Sequence, residues 1–127
     1  MEIPSILKYT FLFHFIACLV FGVIFFLSPE IFVDLVAWPF LDPIAGRVLG
    51  SMFLGFAVAS LLGYRASSWE EVKIVVLADI VWTVFGTISM IWMIAVYPTA
   101  PFAAWFELLL VALFMVLFLY CYMKVKR

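Results

Sequence analysis

The chain has 127 residues, of which 69% are hydrophobic, 20% aromatic and 12% charged, with a mean hydropathy of +1.30. A water-soluble domain carries about 25% charged residues, so half the charge needed to coat a soluble surface is present and the composition is that of an integral membrane protein. The net charge of -1, with Lys and Arg dispersed along the chain, leaves no basic patch for nucleic acid.

The length fits one transmembrane domain over residues 1–127. The first apolar run, residues 9–27, is closed by Ser28-Pro29. It is long, weakly charged at its flank and not followed by an A-x-A-like site, so a retained helix is expected rather than a cleaved signal. Residues 29–38 come next, with Ser28 to cap them, Pro29 at the first helical position and Pro39 behind them. Glu30 and Asp34 share one face, Ile31, Leu35 and Trp38 another, the pattern of a short helix lying in the interface.

The second span covers residues 43–64, with Asp42 as N-cap and Pro43 in the first turn, where a missing N–H costs nothing. The third, 69–96, opens on Ser68-Trp69-Glu70-Glu71, a capping-box pattern. The fourth, 101–122, follows Pro101. Each holds the ~20 residues needed to cross a hydrocarbon layer of about 30 Å. The connections at 65–67 and 97–100 are short, so an antiparallel four-helix bundle with a short interfacial helix between the first two spans is expected.

Lys8, Arg65, Lys73, Lys124, Lys126 and Arg127 flank one side of these spans, and Arg47 alone lies toward the other. That bias predicts a multi-pass protein of the cell membrane with both termini cytoplasmic. Tyr9, Tyr64, Trp69, Tyr120 and Tyr122 would mark the inner boundary; Trp38, Tyr97 and Trp105 would mark the outer one.

Apolar side chains gain little by leaving lipid for one another, so small and polar residues decide packing inside a membrane. Ser51, Gly55, Ala59 and Gly63 recur every four residues on the second span, with Arg47 next on the same stripe. The stripe predicts close approach of a helix, from within the chain or from a second copy in a homodimer. Thr10, His14, Cys18 and Gly22 form a comparable row in the first span; Asp79, Thr83 and Thr87, with Gly86, do so in the third. Cys18 and Cys121 belong to different depths and read as small core hydrophobes rather than a disulfide.

Four ionisable side chains fall inside the spans: His14, Arg47, Asp79 and Glu107. At 1.5 Å rise per residue, His14 and Asp79 come out about 6–8 Å on the inner side of the midplane, and Arg47 and Glu107 about 11 and 6 Å on the outer side. Two polar layers are expected, His14 with Asp79 and Arg47 with Glu107. Insertion alone does not require a partner for Asp79: its cost of about 2.5–3.5 kcal/mol is matched by the Leu, Ile, Val and Phe residues between Ile74 and Ile91, which return about 3–6 kcal/mol. Intramembrane ionisable groups mark candidate ligand or transport sites, or else polar staples that hold helix register.

The hydrolase and metalloprotease motifs are absent and His14 is the single histidine, which points away from an enzyme; no cofactor or metal is expected. The stretches Gly46-Arg-Val-Leu-Gly50, Leu62-Gly-Tyr-Arg65, Trp69-Glu-Glu-Val-Lys73 and Asp79-Ile-Val-Trp-Thr83 resemble small four-span prokaryotic membrane proteins of unassigned function. The resemblance covers roughly residues 46–93 and implies a fold, not an activity. What the residues predict is a bundle that binds membrane lipid or a small molecule, with transport as one outcome, or an accessory protein without chemistry.

Overall fold

The computed structural model describes residues 1–38, 41–97 and 99–126. Pro39 behind the short helix, Pro98 in the last connection, Arg127 and the Lys126 side chain lie outside the described residues. Five helices and no strand are found among those described: α1 Ser5–Leu27, α2 Pro29–Val36, α3 Pro43–Arg65, α4 Trp69–Val96 and α5 Phe102–Lys126. Four of them are long and apolar enough to cross a membrane.

The helix ends follow from local chemistry. α1 starts earlier than the apolar run because the Leu7 and Lys8 amides donate to the Pro4 carbonyl at 3.0 and 3.2 Å. α2 stops two residues short of Trp38 because Ala37 adopts a left-handed conformation, φ 54°. Asp42 caps α3 by accepting from the amides of Ile44 and Ala45 at 2.7 and 3.4 Å. Ser68 makes no side-chain cap to the α4 backbone. Its hydroxyl, with that of Ser67, donates instead to the Glu71 carboxylate at 3.0 and 2.8 Å, and the Trp69 amide is taken by the Met1 carbonyl at 2.9 Å.

The bundle is two helical pairs. α1 packs most closely on α3 and α4 on α5, while contact between α3 and α4, joined only by residues 66–68, is sparse. The α1–α3 seam is closed by glycine. A Cβ placed on Gly50 would meet the backbone of Phe25 at 2.8 Å and the Phe26 Cα at 2.9 Å; one on Gly22 would sit 3.1 Å from the Leu54 amide nitrogen. At one end, Leu7, Phe11, Trp69, Val72, Phe118 and Cys121 are buried together and join the pairs. Large hydrophobic side chains cover the outside, among them Ile74, Phe85, Trp92 and Leu109, as a lipid-facing surface requires.

The tight face of α3 is not the four-residue stripe. Ser51 and Gly55 are exposed, and nothing lies within 4 Å of a Cβ built on Gly55. Ala59 is half-buried, and Gly63 packs against the Phe11 ring. Four residues turn a helix by more than one full turn, about 40° in excess per step, so the row winds from the outside at Ser51 to the inside at Gly63. The inward face is Gly46, Gly50, Ala57 and Ser60 with Phe53 between them, the alternation of fours and threes that keeps a seam straight.

Candidate functional site

On α1, the row Thr10, His14, Cys18 and Gly22 is buried, and so are Asp79, Thr83 and Thr87 on α4. The threonines are satisfied locally: Thr83 donates to the Asp79 carbonyl at 2.6 Å and Thr87 to the Thr83 carbonyl at 2.7 Å. His14, fully buried, is held between helices. Its Nδ1 and the Ser60 Oγ of α3 are 2.7 Å apart, and its Nε2 lies 3.4 Å from the Cys18 Sγ. Phe114 and Phe118 of α5 stand edge-on to the imidazole, with centroids at 4.7 and 5.3 Å.

The expected inner pair is therefore replaced by another. The histidine bonds to Ser60 and Cys18, and Asp79, 2% exposed, keeps one carboxyl oxygen buried without a hydrogen-bond partner among the described residues.

The expected outer pair is not formed either. Arg47 is exposed, donates to Glu30 of α2 at 3.3 Å, and reaches the Pro43 carbonyl at 3.4 Å. It turns outward because Gly46, its neighbour, faces inward against Pro29. α2 folds over that point and delivers Glu30.

Glu107 lies elsewhere, in the wall of a partly enclosed cavity of about 280 Å³. All four long helices line it. α1 contributes His14, Cys18 and Phe21; α3 contributes Leu49 and Phe53. α4 contributes Trp82, Gly86 and Met90; α5 contributes Glu107, Val111 and Phe114. The cavity exists because the helical pairs meet here through large rings. Trp82 stacks on Phe56 at 5.5 Å and stands edge-on to Phe53 at 6.0 Å, which holds α4 off α3. The Trp82 indole nitrogen is buried and has no hydrogen-bond partner among the described residues.

An apolar groove of about 540 Å³ runs outside the cavity between α1 and α5, lined by Phe13, Ile16, Val20, Phe106, Leu109 and Leu113. Ala17, Phe21 and Leu110 border both spaces and form the partition between them. The arrangement brings His14 and Glu107 to one space and leaves Arg47 and the Ser51–Gly55 stripe outside it. Ser60, Trp82 and the phenylalanine walls carry no motif. Ser60 shares the inward register of Gly46, Gly50 and Ala57, and that register was the available signal.

Four long apolar helices around a polar-spotted cavity define a small multi-pass membrane protein built as a helical bundle. No family model, curated protein or solved structure matches the chain.

Proposed function

We propose that the protein binds an amphiphile, a small molecule or lipid with an apolar body, in the cavity between its two helical pairs, taking it up laterally from the bilayer between α1 and α5. The observation that carries this reading is the juxtaposition of a cavity containing His14, Glu107 and Trp82 with an apolar groove facing lipid, separated only by Ala17, Phe21 and Leu110. Binding sites for small molecules have this form, mostly apolar with a few placed polar groups. The protein purified in lipid nanodiscs is expected to retain a bound molecule in native mass spectrometry. Ala17→Phe, which fills the partition, is expected to lose it, whereas Ile88→Phe on the exposed face of α4 keeps it. A bare wild-type protein would overturn the reading.

A second reading has its own support. The His14–Ser60 contact ties α1 to α3, as a polar staple would in an accessory protein without a ligand. Bare protein with unchanged stability in the Ala17→Phe variant would favour it.

For either reading we propose that both termini face the cytoplasm, on the strength of the basic residues gathered at one end of the bundle. A cysteine at Thr99 is then expected to react with an impermeant thiol reagent in intact cells and one at Ser67 to stay unlabelled. The reverse pattern would invert the topology.

A further inference from the structure

We propose that the guest of the cavity is a lipophilic cation, an amine or quaternary ammonium on a hydrocarbon tail, with Glu107 as its counter-charge. The inference rests on the cavity being a binding site, as argued above, and adds the chemical class of its occupant.

Charge balance is the first ground. Among the described residues the bundle interior holds two carboxyl side chains, Asp79 and Glu107, and no lysine or arginine lines the cavity. Lys8, Arg65, Lys73 and Lys124 flank the buried cluster at the far end, next to Leu7, Ala66, Val72 and Val125. Arg47 is engaged with Glu30. His14 borders the cavity, but its two nitrogens are already occupied by Ser60 and Cys18. A carboxyl group in hydrocarbon either stays protonated or meets a cation that holds it ionised, and among the described residues no cation reaches Glu107, so that role is open to a guest.

The walls supply the second ground. Phe21, Phe53, Trp82 and Phe114 surround the space with aromatic rings, whose negative faces attract an organic cation and repel an anion. A bare metal ion fits poorly. It needs several ligands converging on one point, and among the described residues no cluster of three or more His, Cys, Asp or Glu side chains exists.

Shape is the third. The inner space of about 280 Å³ lies just below the usual range of about 300–1,000 Å³ for a whole ligand, so it holds a head group and a few carbons. The adjoining groove takes the rest as a tail. Moving a hydrocarbon chain from lipid into that groove changes little, because both are apolar. Selectivity therefore falls to the head group, and the head group meets Glu107.

The test uses the full chain in lipid nanodiscs, with empty nanodiscs as baseline, and radiolabelled decyltrimethylammonium as the probe. Saturable binding is expected, displaced by decylamine and not by decanol or decanoate. Glu107→Gln is expected to weaken it at least about 30-fold, the loss typical when one partner of a buried charge pair is removed, and Glu107→Asp to restore part of it. Two outcomes would overturn the cation while leaving the site standing: decanol binding that Glu107→Gln does not change, or decanoate binding that His14→Phe abolishes. A Glu107→Gln variant that keeps the wild-type midpoint of unfolding in mixed micelles yet loses the cation would support the proposal. Absence of saturable binding by all these probes would overturn both the inference and the reading beneath it.

Discussion

Helix α1 meets two neighbours in opposite ways. Toward α3, Gly22 faces Leu54 and Gly50 faces the backbone of Phe25 and Phe26, so the two helices touch main chain to main chain. Toward α5, Phe13, Ile16 and Val20 leave an apolar groove, and behind it a cavity. Both seams are almost wholly apolar, so hydrophobicity does not separate them. In a solvent as apolar as the protein, helices are drawn together by the contact that small residues permit, while aromatic side chains keep them apart. The closed seam builds the fold and the open seam supplies a space that chemistry can use.

The sharpest way to break this comparison is to add a methyl group on each side of α3. Gly50→Ala sets a Cβ against the Phe25 and Phe26 backbone, which cannot rotate away as a side chain would. A loss of about 3 kcal/mol is expected, at the upper end of overpacking costs, measured as a lower midpoint of unfolding in mixed micelles. Gly55→Ala meets nothing and is expected to be neutral or to gain up to about 1 kcal/mol from helix propensity. If Gly55→Ala costs as much as Gly50→Ala, the outer stripe is covered by a second copy of the chain, and the mass of the purified particle will show it.

A smaller effect is expected at the polar contact inside the closed seam. Ser60→Ala leaves the buried His14 Nδ1 without its partner, a cost of about 1–3 kcal/mol. His14→Phe alone strands the Ser60 hydroxyl, which can fall back on its own helix backbone, so the double variant is expected to lose less than the sum. Strictly additive losses would mean that the 2.7 Å contact contributes no coupling and that His14 is held by its aromatic neighbours alone.

The limits of the helices were legible because they are written in local chemistry: Pro29, Asp42, Pro43 and the apolar runs act within one or two turns. The inward rows on α1 and α4 were legible too, since Thr10, His14, Cys18 and Asp79, Thr83, Thr87 interrupt otherwise apolar faces. What failed was azimuth. Residue number gives height along a helix, but height does not say which way a side chain points. The four-residue stripe failed for the same reason, because its small excess rotation accumulates from Ser51 to Gly63. The cavity could not be read at all. It is bounded by Phe21, Phe53, Trp82 and Phe114, one from each long helix, and only their convergence makes it.

The smallest effect is expected at Arg47, and it tests whether the outer layer belongs to the open seam. The Arg47–Glu30 pair is about half exposed, with side-chain accessibilities of 45% and 52%, at an N–O distance of 3.3 Å. Pairs of this kind couple by about 0.2–1 kcal/mol and weaken with salt. Arg47→Met and Glu30→Gln should therefore show coupling in that range in a double-mutant cycle of thermal stability, falling as salt is raised. Arg47→Met combined with Glu107→Gln is expected to be additive, since the two residues share no contact. Coupling above about 1 kcal/mol between Arg47 and Glu107 would bring the arginine into the cavity, supply Glu107 with a cation from the chain itself, and remove the charge deficit on which the nature of the guest depends. Loss of the Arg47–Glu30 coupling in anionic lipid alone would instead show phosphate competing for the guanidinium at the membrane surface, which leaves the cavity carboxyl unpaired as before.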